Sequence, residues 1–246
     1  MANKVVKFGG SSLADANQFR KVADIIKSDA KRKFVVPSAP GKRFSEDIKI
    51  TDMLYKCSEL AGSGMDFSED FQIIKDRYNG IISELGIDMS LEEEFDAIVK
   101  ELKARPSRDF AGSRGEYLNG KVLAKYLGFN FVDAGDVIVF DTKGMLLLDE
   151  TVKAVRNALK NLDNAVIPGF YGRTTEGYIK TFSRGGSDVT GSIIANAVKA
   201  EIYENWTDVS GFLVADPRIV DNPDVIEVIT YRELRELAYM GASVLH

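Results

Sequence analysis

Histidine and cysteine are almost missing from this chain: each occurs once in 246 residues, His246 at the last position and Cys57 at helical spacing from Leu54 and Ala61. A lone terminal histidine disfavours catalytic triads built on imidazole and histidine-ligated metal centres. One thiol cannot form an internal disulfide or a cysteine zinc site, so Cys57 reads as a small buried hydrophobe. No apolar run approaches the ~20 residues that span a bilayer. The start, Met1-Ala2-Asn3-Lys4, is too short and too charged for a secretory signal, and a cytoplasmic location is expected. An excess of basic charge is also absent. With 32 Lys and Arg against 37 Asp and Glu the net charge is −5, so no positive field draws a nucleic-acid backbone. Neither nucleic acid nor membrane is an expected partner.

What is present is ordinary for a globular domain: 45% hydrophobic and 28% charged residues, in a chain long enough to bury a core without staples. Val5-Val6-Lys7-Phe8 reads as a short buried strand that stops at Gly9-Gly10. Phe19, Val22, Ala23 and Ile26 then recur at helical spacing, and Phe34-Val35-Val36 gives a second strand. Strand, helix, strand implies a parallel pair. Ser38 to Lys49 reads as a loop. From Thr51 to about Gly128 helical stripes dominate: Leu54/Cys57/Ala61, Phe71/Ile74/Tyr78/Ile81 and Phe95/Ile98/Val99/Leu102. Strands are expected at 131–133, 137–140, 165–167, 177–182 and 202–206, with helices near 150–162, 187–199 and 231–240. With no repeat or long linker, one α/β unit of two closely joined lobes fits best.

Three clusters carry chemistry. Lys7-Phe8-Gly9-Gly10-Ser11-Ser12 puts a lysine at a strand end, followed by two residues whose backbone amides can approach a phosphate closely, or it forms an ordinary strand-to-helix turn. Phe182-Ser183-Arg184-Gly185-Gly186-Ser187-Asp188 repeats the pattern, with Ser187 or Asp188 expected as helix N-cap and Arg184 offering a planar fork to a carboxylate or phosphate. Asp188 caps that helix, holds a lysine, or holds magnesium. Trp206-Thr207-Asp208-Val209-Ser210-Gly211-Phe212, then Ala215-Asp216-Pro217-Arg218, place polar groups at strand ends and turns, where ligands or simple Asx and proline turns belong. Trp206 itself reads as core.

In this order, KFGGSS, GRTT…SRGGSD and WTDVSG…DPR resemble aspartate kinases over essentially the whole chain. Arg114-Gly115-Glu116-Tyr117-Leu118 resembles that family's Gly-Glu-Arg-Leu-Ser substrate motif, and Val35-Val36-Pro37-Ser38-Ala39 its Val-Val-Ser-Ala strand end. The resemblance implies an α/β fold, a three-layer α/β/α sandwich with a mainly parallel central sheet. It implies an amino-acid-binding lobe over about 1–185 and a nucleotide-binding lobe over about 186–246. It further implies ATP-dependent phosphorylation of the L-aspartate side-chain carboxylate, the first step toward lysine, threonine and methionine, with ATP and Mg2+ as cofactors and no protein-held metal site.

By the same resemblance Lys7 and Asp188 are catalytic. Ser38, Thr51, Glu116, Arg184 and Ser187 contact the amino acid, Glu116 and Arg184 matching the two charges of its zwitterion. Lys7, Gly9, Gly10, Ser11, Thr207, Asp208, Phe212, Asp216 and Arg218 contact the nucleotide. Two positions depart from the family pattern: Ser243 stands where lysine is usual, and Tyr117 where arginine is usual. Other acceptors within the fold, as in glutamate, acetylglutamate or uridylate kinases, are the alternative, and a non-catalytic ligand-sensing module is another. The chain stops inside a family motif at Val244-Leu245-His246, so ACT-type regulatory domains and homo-oligomerisation are expected of a longer form.

Overall fold

The computed structural model describes residues 3–183, 185–207, 211, 213–215 and 219–239. The chain divides into two compact units, Met1–Trp206 and Thr207–His246. In the first, β1 (Lys4–Phe8) leads through a 3-10 turn (Ser11–Leu13) to α1 (Ala16–Lys27) and β2 (Arg32–Pro37). Four helices follow: α2 (Ile50–Gly62), α3 (Ser68–Leu85), α4 (Glu92–Ala104) and α5 (Arg108–Leu127). The alternating part then runs β3 (Asn130–Phe131), α6 (Ala134–Val137), β4 (Val139–Phe140), α7 (Leu148–Leu159) and β5 (Ala165–Val166). It closes with β6 (Tyr171–Thr174), β7 (Ile179–Thr181), α8 (Gly186–Val198) and β8 (Ile202–Trp206).

Five strands form one sheet in the order β3-β5-β2-β1-β8, and every neighbouring pair is parallel. Strand side chains alternate between faces. Val6, Phe8, Val35 and Val166 therefore join one core with residues of α1 to α5, while Val5, Phe34, Val36, Ala165 and Ile167 join another with α6 to α8. Helices on both faces of a parallel sheet make the expected three layers. The apolar stripes seen in the sequence are the inward faces: Leu54, Cys57, Phe71, Ile74, Tyr78, Ile81, Phe95, Ile98 and Leu102 are all buried. Trp206 stacks on Phe8 with ring centroids 6.1 Å apart and packs against the first core.

A smaller sheet, β4-β6-β7, departs from the sequence expectation. Val137 belongs to the one-turn helix α6, because the Asp133 side chain caps it by accepting from the Gly135 amide at 2.8 Å. The strand begins only at Val139. β6 has no counterpart in the expected elements: a Cβ at Gly172 would stand 2.3 Å from the Ile138 carbonyl, so close backbone approach, with no apolar periodicity, builds this strand.

In the second unit, Leu213 and Val225 form an antiparallel bridge. Its helix α9 (Tyr231–Tyr239) opens with a capping box: the Glu233 amide donates to Thr230 Oγ1 at 3.3 Å, and Glu233 Oε2 accepts from the Thr230 amide at 2.8 Å. Among the described residues no helix is long and apolar enough to cross a membrane.

Candidate active site

Parallel pairing brings strand ends together. Phe8 lies in register with Pro37 on one side and Trp206 on the other, so the Gly9-Gly10 turn and the Ser38 loop leave the sheet at the same edge. Such carboxyl ends are where open α/β sheets hold ligands. The Gly9 amide donates to the Trp206 carbonyl at 3.2 Å, Ser38 to Phe8 at 3.1 Å, and Gly41 to Gly10 at 2.8 Å. Gly10 and Gly41 meet backbone to backbone. A Cβ on Gly10 would lie 2.8 Å from the Ala39 oxygen, and one on Gly41 2.7 Å from the Gly10 carbonyl carbon, so neither position accepts a side chain unless the loops part.

The alternation that buries Val5 beneath α8 also aims Lys7 at that layer. Its ammonium lies 2.8 Å from Asp188 Oδ1, in a pair whose side chains are 9% and 21% exposed. The contact is an ion pair without hydrogen-bond alignment, since Oδ1 accepts from no donor. Helix α8 is capped by Gly185 at φ 57°, not by Ser187 or Asp188; a glycine takes this left-handed conformation without strain and leaves the Asp188 carboxylate in the first turn, where the helix dipole favours it. Ser187 is buried against Gly169, whose added Cβ would sit 2.5 Å from the Ser187 hydroxyl. Next to it Phe170 holds φ 78°, a strained value for a residue with a side chain, fixed by donation from its amide to Thr190 Oγ1 at 3.2 Å.

Glu116 lies on the buried face of α5, 6% exposed, and its Oε2 has no partner. Burial pushes its carboxyl up to about 8, against the pull of the Ala39 and Glu116 backbone amides and the Arg114 charge. Ala39 ties Glu116 to the strand-end loops, because the Ala39 carbonyl faces Gly10 and its methyl faces Gly115. Ser38 belongs to the same loop, its carbonyl accepting from Asn119 Nδ2 at 2.6 Å. Thr51, half-buried in the first turn of α2, follows Ile50, whose amide donates to Pro40 at 3.4 Å. Lys7, Gly9, Gly10, Ser38, Thr51, Glu116, Ser187 and Asp188 thus gather around one edge of the sheet, with Ser11 opening the 3-10 turn. Thr207 begins the second unit. Arg184, Asp208, Phe212, Asp216, Arg218 and Ser243 lie outside the described residues.

Several residues here escape sequence reading. Asn119 and Phe170 are two. A third is Arg114, buried with Nη2 unpartnered and stacked on Phe110, Tyr117 and Tyr171 at 4.8, 4.5 and 5.2 Å. Arg114 faces a cavity of 790 Å3 between α4, α5 and the β6-β7 hairpin, which neither Lys7, Glu116 nor Asp188 lines. That cavity is therefore separate from the strand-end site. Its signal in the sequence is the Arg114-Gly115-Glu116 triplet, where one helix turn sends the two charges to different faces.

Layering, parallel order and the glycine turns define a three-layer α/β/α domain with a candidate site at the carboxyl edge of the sheet. The model of the Amino acid kinase family matches residues 3–246, and the chain belongs to that family. It is 40% identical over 261 residues to aspartokinase 3 of Bacillus subtilis (strain 168), covering 99% of this chain and 57% of that protein. Among solved structures it is similar to Clostridium acetobutylicum aspartate kinase, at 54% identity and a TM-score of 0.95, over 100% of this chain and 56% of that one. It is also similar to E. coli aspartokinase III in complex with aspartate and ADP, at 26% identity and a TM-score of 0.82, over 99% and 57% of the two chains. The chain spans about half the length of the curated relatives it matches.

Proposed function

We propose that this chain phosphorylates the side-chain carboxylate of L-aspartate with ATP, yielding 4-phospho-L-aspartate and ADP. The observation that carries the reading is the buried Glu116 carboxyl, whose Oε2 has no partner, beside the strand-end loops and the Lys7–Asp188 pair. A buried acid with one oxygen unsatisfied is costly, and the ammonium of an amino acid supplies the missing donor. The identity to aspartate kinases and the aspartate and ADP held by the E. coli relative support the same acceptor and a nucleotide donor.

In this reading the acceptor carboxylate attacks the γ-phosphorus, and because a carboxylate of pKa about 4 is already ionised no general base is needed. A chain nearly devoid of histidine suits that chemistry. Lys7 neutralises charge on the moving phosphoryl group, and Asp188 holds its ammonium in place. Gly9, Gly10 and Ser11 lie beside the phosphates. Arg184 grips the α-carboxylate and Glu116 the ammonium, while Ser38, Thr51 and Ser187 add hydroxyl contacts. Thr207, Asp208, Phe212, Asp216 and Arg218 serve the nucleotide, so that residues 1–185 form the amino-acid lobe and 186–246 the nucleotide lobe. Among the described residues no three His, Cys, Asp or Glu side chains form a metal cluster. Asp188 Oδ1, buried and accepting from no donor, is where magnesium carried on nucleotide phosphates would be met, and the ion would supply further charge neutralisation there. A cytoplasmic setting and self-association complete the reading.

The test is incubation with ATP, magnesium and a panel of acceptors, with hydroxylamine as trap and ADP release followed in parallel. Aspartate is expected to give the hydroxamate and stoichiometric ADP. Turnover confined to glutamate, acetylglutamate or uridylate, or binding with no turnover, overturns the proposal.

A further inference from the structure

The loop between Ser38 and Ile50 is held inward at few points. Residues 42–46, 48 and 49 are exposed, with Phe44 and Ile48 at 56% and 57%, whereas Gly41 and Asp47 are buried. What holds Asp47 is a guanidinium from a different layer of helices. Arg77, on α3 and 7% exposed, places Nη2 at 2.9 and 2.7 Å from the two Asp47 oxygens. Its Nη1 donates to the Gly41 carbonyl at 3.3 Å and to the Ala14 carbonyl at 3.5 Å. Asp47 also accepts from Arg43, through Nε at 2.9 Å, Nη2 at 3.1 Å and the backbone amide at 2.9 Å.

One side chain therefore ties together the segment after the Gly9-Gly10 turn, the Gly41 backbone that presses on Gly10, and the acid that closes the loop before Thr51. A buried ion pair adds little net stability compared with an apolar pair of similar volume. Its directional bonds, by contrast, fix geometry, and Arg77 makes four of them in a planar fork that no other side chain reproduces.

We propose that Arg77 is a positioning residue for the phosphoryl transfer: acting through Asp47, Gly41 and Ala14, it sets the spacing between the Gly9-Gly10 turn and the loop that runs from Ser38 to Thr51 at the start of α2. The inference rests on the function proposed above for that site. Arg77 itself touches no reacting group.

Two variants test it. Arg77→Lys keeps the charge and reaches Asp47 but cannot bond both carbonyls as well. The double variant Arg77→Met/Asp47→Leu replaces the pair by apolar groups. Both are expected to melt close to the wild-type temperature and to lose about 10- to 100-fold in kcat/KM for aspartate, the scale of a misplacement near 1 Å, with KM moving more than kcat. A purely structural Arg77 predicts the opposite split: lowered melting temperature in Arg77→Lys, and wild-type KM in the double variant. Amide hydrogen exchange of the substrate-free proteins reads the loops without any acceptor, and faster exchange confined to residues 10–14 and 40–49 is expected in both variants. Wild-type protein that fails to use aspartate would sink the functional reading alone, whereas unchanged exchange or an unchanged KM in both variants overturns the role of Arg77.

Discussion

Lys7 and Asp188 stand 2.8 Å apart across the seam between the central sheet and α8, although one lies on the first strand of the chain and the other on the helix before β8. The pair is short because two local rules agree. Alternation along β1 sends Lys7 to the α8 side, and the left-handed Gly185 starts α8 early enough to bring Asp188 into its first turn.

If that ammonium acts on the moving phosphoryl group, Lys7→Ala should lower kcat by roughly 10²–10³ while KM for both substrates moves far less. Removing one partner of a largely buried pair also destabilises, so melting curves must accompany the kinetics. A folded Lys7→Ala protein that binds ATP and retains more than about a tenth of wild-type kcat would refute the assignment.

Glu116 predicts a stability that depends on pH. Its carboxyl is raised by burial from 4.5 to about 8, so between those values the folded state binds more protons than the unfolded one. Stability then falls as pH rises through that window and levels off above it, by an amount of order 5 kcal/mol at most. Urea titrations of wild type and Glu116→Gln between pH 5 and 9 should show that decline in the wild type and its loss in the variant.

The same group links binding to protons. An arriving ammonium favours the ionised acid, so aspartate binding near pH 7 should expel close to one proton, and near pH 9 almost none. Calorimetry in two buffers of different ionisation heat measures the number; a value that does not change with pH would remove Glu116 from the ammonium contact.

Gly169→Ala should destabilise by about 1–3 kcal/mol and impair turnover, because the new methyl would stand 2.5 Å from the Ser187 hydroxyl and 2.7 Å from the backbone carbon that carries its side chain. Combining it with Ser187→Ala should restore little, since that backbone carbon stays where it is. Thermal melting of the single and double variants decides the point.

Cys57 is fully buried, and burial pushes its thiol up to about 12. Its modification by a thiol reagent at pH 8 should therefore track global unfolding, vanishing in buffer and completing through the denaturant transition.

The sequence discloses what repeats and what is adjacent. Phe71, Ile74, Tyr78 and Ile81 announce α3 because burial on one face forces a helical period, and Lys7 announces a strand end because glycines follow it. It conceals what depends on distant partners. Nothing periodic marks Arg77 and Asp47 as a pair: in sequence neither differs from an ordinary surface charge, yet the structure buries both. Nor does any pattern mark Phe170, which holds a positive φ although a glycine stands beside it. β6 is invisible for a related reason: Gly172 is chosen by the approach of Ile138, a fact of three dimensions.

The placement of Lys7 carries one more consequence, for how the sheet assembles. In β1 the residues on either side of it, Val6 and Phe8, face the apolar core under α1 to α5. A slip of one residue in strand pairing would turn the strand over, drive an ammonium into that core and part it from Asp188. The charge thus acts as a key in a lock during folding: β1 fits between β2 and β8 in one alignment, and every neighbouring alignment is penalised before any ligand arrives.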